Sequence, residues 1–100
     1  MNHEHPAIGL TATLYKDVVF SEFEREGQPV EVANFTLVRR YGEDKEYTSC
    51  SAYGEKAAQT RDYRPGDRIH VFGYWKERTK NGKTFKNFIV LSHRKENEEN

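Results

Sequence analysis

The sequence predicts a small all-β domain with one short helix, its strands closing into a five-stranded barrel. Three observations predict it. Apolar and polar residues alternate with a period of two over most of the chain. Gly, Pro and Asn punctuate the alternation at Gly27–Pro29, Gly42, Pro65-Gly66 and Asn81-Gly82. Only one stretch, Glu55 to Thr60, suits a helix, and Gly73 interrupts a later strand where a small barrel needs a corner.

The elements follow in order. Ile8, Leu10, Ala12 and Leu14 alternate with Gly9, Thr11, Thr13 and Tyr15, giving a first strand that Val18-Val19-Phe20 continues or bends. Glu24 to Pro29 reads as a loop. Val30 to Arg40 is a second strand, with Ala33, Phe35 and Leu37 inward and Asn34, Thr36, Val38 and Arg40 outward. Tyr41 to Lys45 is a polar turn. Glu46 to Tyr53 is a third strand. Thr48, Cys50 and Ala52 take its apolar face, and Tyr47, Ser49, Ser51 and Tyr53 take a polar-aromatic face suited to a binding platform. The short helix ends before the Pro65-Gly66-Asp67 turn. Arg68 to Glu77 is a fourth strand, with Ile69, Val71, Gly73 and Trp75 on its apolar side. Lys80-Asn81-Gly82-Lys83 is a type I′ hairpin turn, because Asn-Gly tolerates two successive positive φ angles. Thr84 to Ser92 returns as the fifth strand. Three strands, a helix and two strands is the layout of the OB-fold; an SH3-like barrel, without the helix, is the rival.

One hundred residues make one domain. Residues 1–6 are expected to form a flexible N-terminus, 7–93 the barrel, and 94–100 a short charged tail. No apolar run approaches the roughly 20 residues that span a bilayer, and no secretory signal is read at the start. A lone cysteine forms no internal disulfide, so a reducing cytoplasm is the expected compartment.

The formal net charge is zero, but the charge is unevenly placed. Residues 1–34 hold two bases and six acids, for −4. Residues 35–95 hold fourteen bases and seven acids, for +7, and three further Glu close the chain. Ten of the thirteen aromatics lie between Phe35 and Phe88, interleaved with twelve of the sixteen Lys and Arg. Flat rings stack on exposed bases and cations follow a phosphate backbone, so this mixture suits single-stranded nucleic acid.

Four short motifs sharpen that reading. Val32-Ala33-Asn34-Phe35-Thr36-Leu37 resembles the second strand of the bacterial single-stranded DNA-binding proteins (SSB). Tyr47 through Ala58 is similar to their third strand entering the helix, with aromatics at the positions of Tyr47 and Tyr53. Pro65 through Gly73 resembles their turn and following Val-x-Val-x-Gly strand, and Ile8 to Leu14 fits their first strand, with Ala12 where Gly is usual. The resemblance spans residues 7–93 and rests on the order and spacing of these motifs. It implies an OB-fold, single-stranded DNA as ligand, self-association as a homotetramer or homodimer, and replication or recombination proteins as partners. Three features depart from the family. These hundred residues lack its Gly/Pro/Gln-rich linker and acidic tip ending in Pro-Phe. No Trp stands near Arg78-Thr79-Lys80. The Lys80–Lys83 turn is tighter than in many relatives.

The candidate binding set is Thr36, Arg40, Tyr41, Tyr47, Tyr53, Lys56, Lys76, Arg78, Lys80, Lys83 and Lys86. Tyr47 and Tyr53 are the stacking pair, about 20 Å apart on one face, with Tyr41 as a third ring. The cations are phosphate contacts. Against this, exposed tyrosines suit strands in general, and lysines guard sheet edges. Phe35, Trp75 and Phe85 are expected in the core, and Cys50 as a buried, inert thiol. His3 and His5 form a His-x-His pair, too few ligands for a metal site. No cofactor, metal or catalytic residue is expected, because no phosphate-binding loop, Cys/His spacing or activated nucleophile is present. The expected function is non-enzymatic binding of single-stranded DNA with little sequence preference. An RNA-binding OB module and a protein-interaction adaptor are the alternatives.

Overall fold

The computed structural model describes residues 6–96. Its elements are β1 (Ile8–Leu14), β2 (Val19–Arg25), β3 (Gln28–Tyr41), β4 (Asp44–Tyr53), α1 (Glu55–Ala58), β5 (Arg68–Lys80) and β6 (Lys83–Lys95). Hydrogen bonding runs β1-β5-β6-β4-β3-β2, and β1 also pairs with β3 through Thr13–Val38 and Leu14–Leu37. That last pairing closes a ring of five strands, β1, β5, β6, β4 and β3. All neighbours are antiparallel except β4 and β6, which meet in parallel at Cys50–Phe88 and Ser51–Ile89. The barrel is the five-stranded OB-fold that the element order predicts.

β2 is the difference. Instead of a loop over Glu24–Pro29, the chain forms a hairpin outside the ring, β2 pairing with β3 from Val19–Asn34 to Arg25–Gln28. Its turn is Glu26-Gly27, with φ of 52° and 78°. Two successive positive φ values give the type I′ turn that matches strand twist. Asn81-Gly82, at 54° and 78°, makes the same turn where the sequence signals it openly. Gly27 carries the first hairpin, and Glu26 takes the strained position that Asn fills in the second.

The core lies inside the ring. Ala12, Leu14, Ala33, Phe35, Leu37, Cys50, Ala52, Ile69, Val71, Phe88 and Val90 are buried there, with Ala57 and Tyr63 capping one end. The inward faces of β3 and β4 are those that alternation assigns. Gly73 is the expected corner: the register between β5 and β6 shifts at Phe72/Gly73. A Cβ on Gly73 would lie 1.8 Å from the Ile89 carbonyl oxygen, so only glycine lets the strands approach this closely.

Three expectations need correction. Phe85 is not core but 55% exposed, because the β5–β6 register sets it opposite Arg78 beyond the barrel. Trp75 does share a face with Ile69 and Val71, yet it is 36% exposed at the rim, edge-on to Phe88 with centroids 5.2 Å apart. Arg94 and Lys95 are strand, not tail. They extend β6, paired with His70 and Ile69, and Lys95 Nζ lies 3.3 Å from Asp67 Oδ2. The His3-x-His5 pair and residues 97–100 lie outside the described residues.

Candidate nucleic-acid interface

β4 carries the platform. Tyr47 and Tyr53 are 50% and 40% exposed on one face of the strand, opposite Val38 and Val32 of β3. Each ring is braced by a second aromatic in a T-shaped contact. Tyr15 meets Tyr47 at 5.0 Å between centroids and 63° between planes. Phe23, on β2, meets Tyr53 at 6.2 Å and 87°. Edge contacts of this kind hold a ring upright while leaving a broad face free.

The hairpin β5–β6 rises beside Tyr53, and its two sides differ. Register places Lys76, Arg78 and Lys80 opposite Asn87, Phe85 and Lys83, so these six share one side. Tyr53, Lys76, Arg78, Phe85, Asn87 and Ile89 line a cavity of about 520 Å³, with Glu77 as its one acid. A second cavity of about 340 Å³ continues past Tyr53 to Phe23, Arg25, Val30 and Tyr74. Lys86 is on the other side, opposite Glu77, with its ammonium 6.0 Å from the Trp75 ring centroid. The basic hairpin is therefore sided: four of its five expected cations share one side, and two of them, Lys76 and Arg78, line the Tyr53 groove.

The Tyr47 end is cationic too. Arg40 and Arg68 line a cavity of about 350 Å³ with Thr11, Thr13, Val38 and Arg39. Arg39 is already engaged, its guanidinium 3.6 Å from Glu46 and its Nε donating to Tyr41 Oη at 2.9 Å. Tyr41 Oη in turn donates to Glu46 at 3.0 Å, and Arg39 covers the Tyr41 ring at 5.2 Å. Alternation along β3 puts Tyr41 and Arg39 on the opposite face from Arg40, so the structure does not bring Tyr41 to the Tyr47–Tyr53 platform. Thr36 does lie on it, half-buried beside Ser49.

Lys56 stands on α1, away from the cavities beside Tyr53. Its carbonyl accepts from His93 Nε2 at 2.8 Å. A carbonyl can only accept, so Nε2 carries the proton and Nδ1 accepts from Tyr63 Oη at 2.7 Å. Burial holds His93 below its usual pKa, and Lys56's charge adds to this against the raising effect of the carbonyl bond. Burial, with the Asp67 charge, pushes the Tyr63 hydroxyl up to about 12, so it remains a donor. This chain of hydrogen bonds ties α1 to β6. Cys50 is buried as expected, and burial pushes its thiol up to about 12, which makes it a poor nucleophile.

Sequence reasoning missed Tyr15, Phe23 and Phe85 as groove aromatics. Counting back from the Asn81-Gly82 turn would have found Phe85, because 80 faces 83, 78 faces 85 and 76 faces 87. Among the described residues no cluster of His, Cys, Asp and Glu could hold a metal ion, and no helix is long and apolar enough to cross a membrane.

No protein-family model matches the sequence, and no curated protein matches it significantly. Solved structures do match. The SSB domain of a Synechococcus protein superposes with a TM-score of 0.72 at 15% identity, covering 93% of this chain and 97% of that one. The small single-stranded DNA-binding protein of Streptomyces coelicolor gives 0.69 at 14% identity over 95% and 96%. The single-stranded DNA binding protein of Thermus aquaticus gives 0.79 at 17% identity, covering 94% of this chain but only 41% of its own. Sequence identity this low carries the fold alone, and in fold the chain resembles the bacterial single-stranded DNA-binding proteins: a five-stranded OB barrel with a helix between its third and fourth ring strands.

Proposed function

We propose that the chain binds single-stranded DNA with little sequence preference and without catalysis. The observation that carries this reading is the exposure of Tyr47 and Tyr53 on one sheet face with cations at both ends. Bases stack on the two rings. Arg40 and Arg68 hold phosphates at the Tyr47 end, and Lys76, Arg78, Lys80 and Lys83 hold them at the Tyr53 end. Stacking is indifferent to sequence because every base has a π-face. The likeness in fold to single-stranded DNA-binding proteins supports the same reading, and with it self-association as a dimer or tetramer and a role in replication, recombination or repair in the cytoplasm.

The test is a gel shift with oligo-dT at low salt, repeated at rising salt, with light scattering at micromolar protein to give the mass. Binding that weakens linearly in log–log form, by about 0.7 for each neutralised phosphate, supports the reading. No shift at low salt overturns it in favour of a protein-interaction adaptor, for which the zero net charge speaks. Tighter binding of a matched RNA oligomer makes RNA the ligand.

A further inference from the structure

Between the two tyrosines the floor of the platform is polar. Ser51 lies four residues from Tyr47 and two from Tyr53 on the same face of β4, and only 3% of its surface is exposed. Asn34 is its register partner on β3, and Asn87 reaches it from β6. Ser51 Oγ donates to Asn34 Oδ1 at 2.7 Å and accepts from Asn87 Nδ2 at 2.9 Å. Val, Ile or Thr would serve a strand better at these positions, so three amide and hydroxyl groups here need a reason.

Each amide uses one end on Ser51. The other ends, Nδ2 of Asn34 and Oδ1 of Asn87, have no side-chain partner among the described residues. Asn34 opens into a cavity of about 310 Å³ with Lys16, Thr36 and Ser49. Asn87 opens into the larger cavity with Tyr53, Lys76 and Phe85. The trio therefore joins two hollows that lie along the path from one stacking ring to the other.

A hydroxyl has one proton, so the two amides are coupled through it. If both rotate by half a turn, Asn34 Nδ2 donates to Ser51 and Ser51 donates to Asn87 Oδ1, with the same heavy-atom positions. In either state the groove meets one amide donor end and one carbonyl end, in opposite order. Either base can meet either end, because each carries one donor and one acceptor on this edge. Thymine sets an O4 acceptor beside its N3–H donor, and cytosine sets its N4 donor beside an N3 acceptor.

We propose that Asn34, Ser51 and Asn87 form a base-edge reading site that hydrogen-bonds the pyrimidines lying between the bases stacked on Tyr47 and Tyr53, Asn34 on one side of Ser51 and Asn87 on the other, and takes thymine and cytosine alike. This rests on the single-stranded DNA reading. It makes weak sequence preference a product of adaptable base contacts, not of their absence.

Asn34→Leu/Asn87→Leu tests it. Leu keeps the size of Asn and removes both hydrogen-bonding ends without adding charge. Fluorescence titration with oligo-dT and oligo-dC compares the wild type with this variant. The wild type is expected to bind both within about threefold, and the variant to weaken both by similar factors of about three to ten with the slope of log affinity against log salt unchanged. A folded variant that binds both oligomers as tightly as the wild type overturns the proposal. A wild-type preference for one pyrimidine beyond about tenfold overturns it as well. Failure of the wild type to bind either oligomer overturns the DNA reading itself. Should the variant not fold, Ser51→Ala decides: it is expected to weaken both oligomers by similar factors of about three to ten, and wild-type binding by this variant overturns the proposal.

Discussion

The Tyr47 and Tyr15 rings meet in an inclined, T-shaped contact at 5.0 Å between centroids, with 63° between their planes. Tyr15 follows β1 directly, so the end of one ring strand orients an aromatic at one end of the stacking platform. A ring held this way loses less rotamer freedom when a base stacks on it. Tyr15→Ala is expected to weaken oligo-dT binding by less than about tenfold, since an edge contact contributes about 0.5–1.5 kcal/mol. The same substitution in a Tyr47→Ala background should cost nothing further. A double-mutant cycle by fluorescence titration checks this, and additive losses would place Tyr15 on the DNA independently.

The two sides of the β5–β6 hairpin should differ in salt response. Lys80→Ala/Lys83→Ala removes cations from the side that carries Phe85 and Arg78. The slope of log affinity against log salt should become shallower by about 0.7 for each phosphate left without its cation. Lys86→Ala, across the hairpin beside Trp75, should change the slope less. Equal slope changes in the two variants would mean that the strand does not lie along the Tyr53 side.

Gly73 sets the corner of the barrel, and its replacement tests the fold. Gly73→Ala pushes a Cβ to within 1.8 Å of the Ile89 carbonyl oxygen. Overpacking of this kind costs about 1–3 kcal/mol. Thermal unfolding followed by circular dichroism should show a fall in Tm of about 4–8 °C per kcal/mol for a domain of this size. An unchanged Tm would show that β5 and β6 separate freely at this point.

His93 gives the stability a pH dependence whose sign is fixed. Its folded-state pKa lies below the ordinary value near 6.5, chiefly through burial. The unfolded chain therefore binds a proton first as pH falls. Its contribution to stability is complete above about pH 6.5 and is lost as pH falls through the folded-state value. Urea unfolding should show lower stability at pH 5 than at pH 7. His93→Gln, which does not titrate, should flatten that difference. An equal loss in both proteins would assign it to other groups.

Much of this structure is legible in the chain. The alternation in residues 30–53 places Ala33, Phe35, Leu37, Cys50 and Ala52 inside and Tyr47 and Tyr53 outside, because a strand with one wet face has period two. Asn81-Gly82 announces its hairpin. Glu26-Gly27 does not, because Glu is uncommon at positive φ, and so the β2 hairpin that carries Phe23 looks like bend and loop. Trp75 is misplaced for a different reason: alternation gives the side of a strand, not where the barrel ends, and Trp75 lies at the rim. Phe85 is a matter of side, because it lies three residues from buried Phe88 and so on the opposite face, as the count from the turn shows. The Asn34–Ser51–Asn87 contact joins three strands at long range, so no local pattern signals it.

The most direct measurement is oligo-dT binding by a Tyr47→Ala/Tyr53→Ala variant, with circular dichroism on the same sample. Both side chains are exposed, so the variant should keep the wild-type spectrum. Stacking contributes about 1–3 kcal/mol per base, so affinity should fall at least about 30-fold. A folded variant that binds oligo-dT as tightly as the wild type would contradict base stacking on this face.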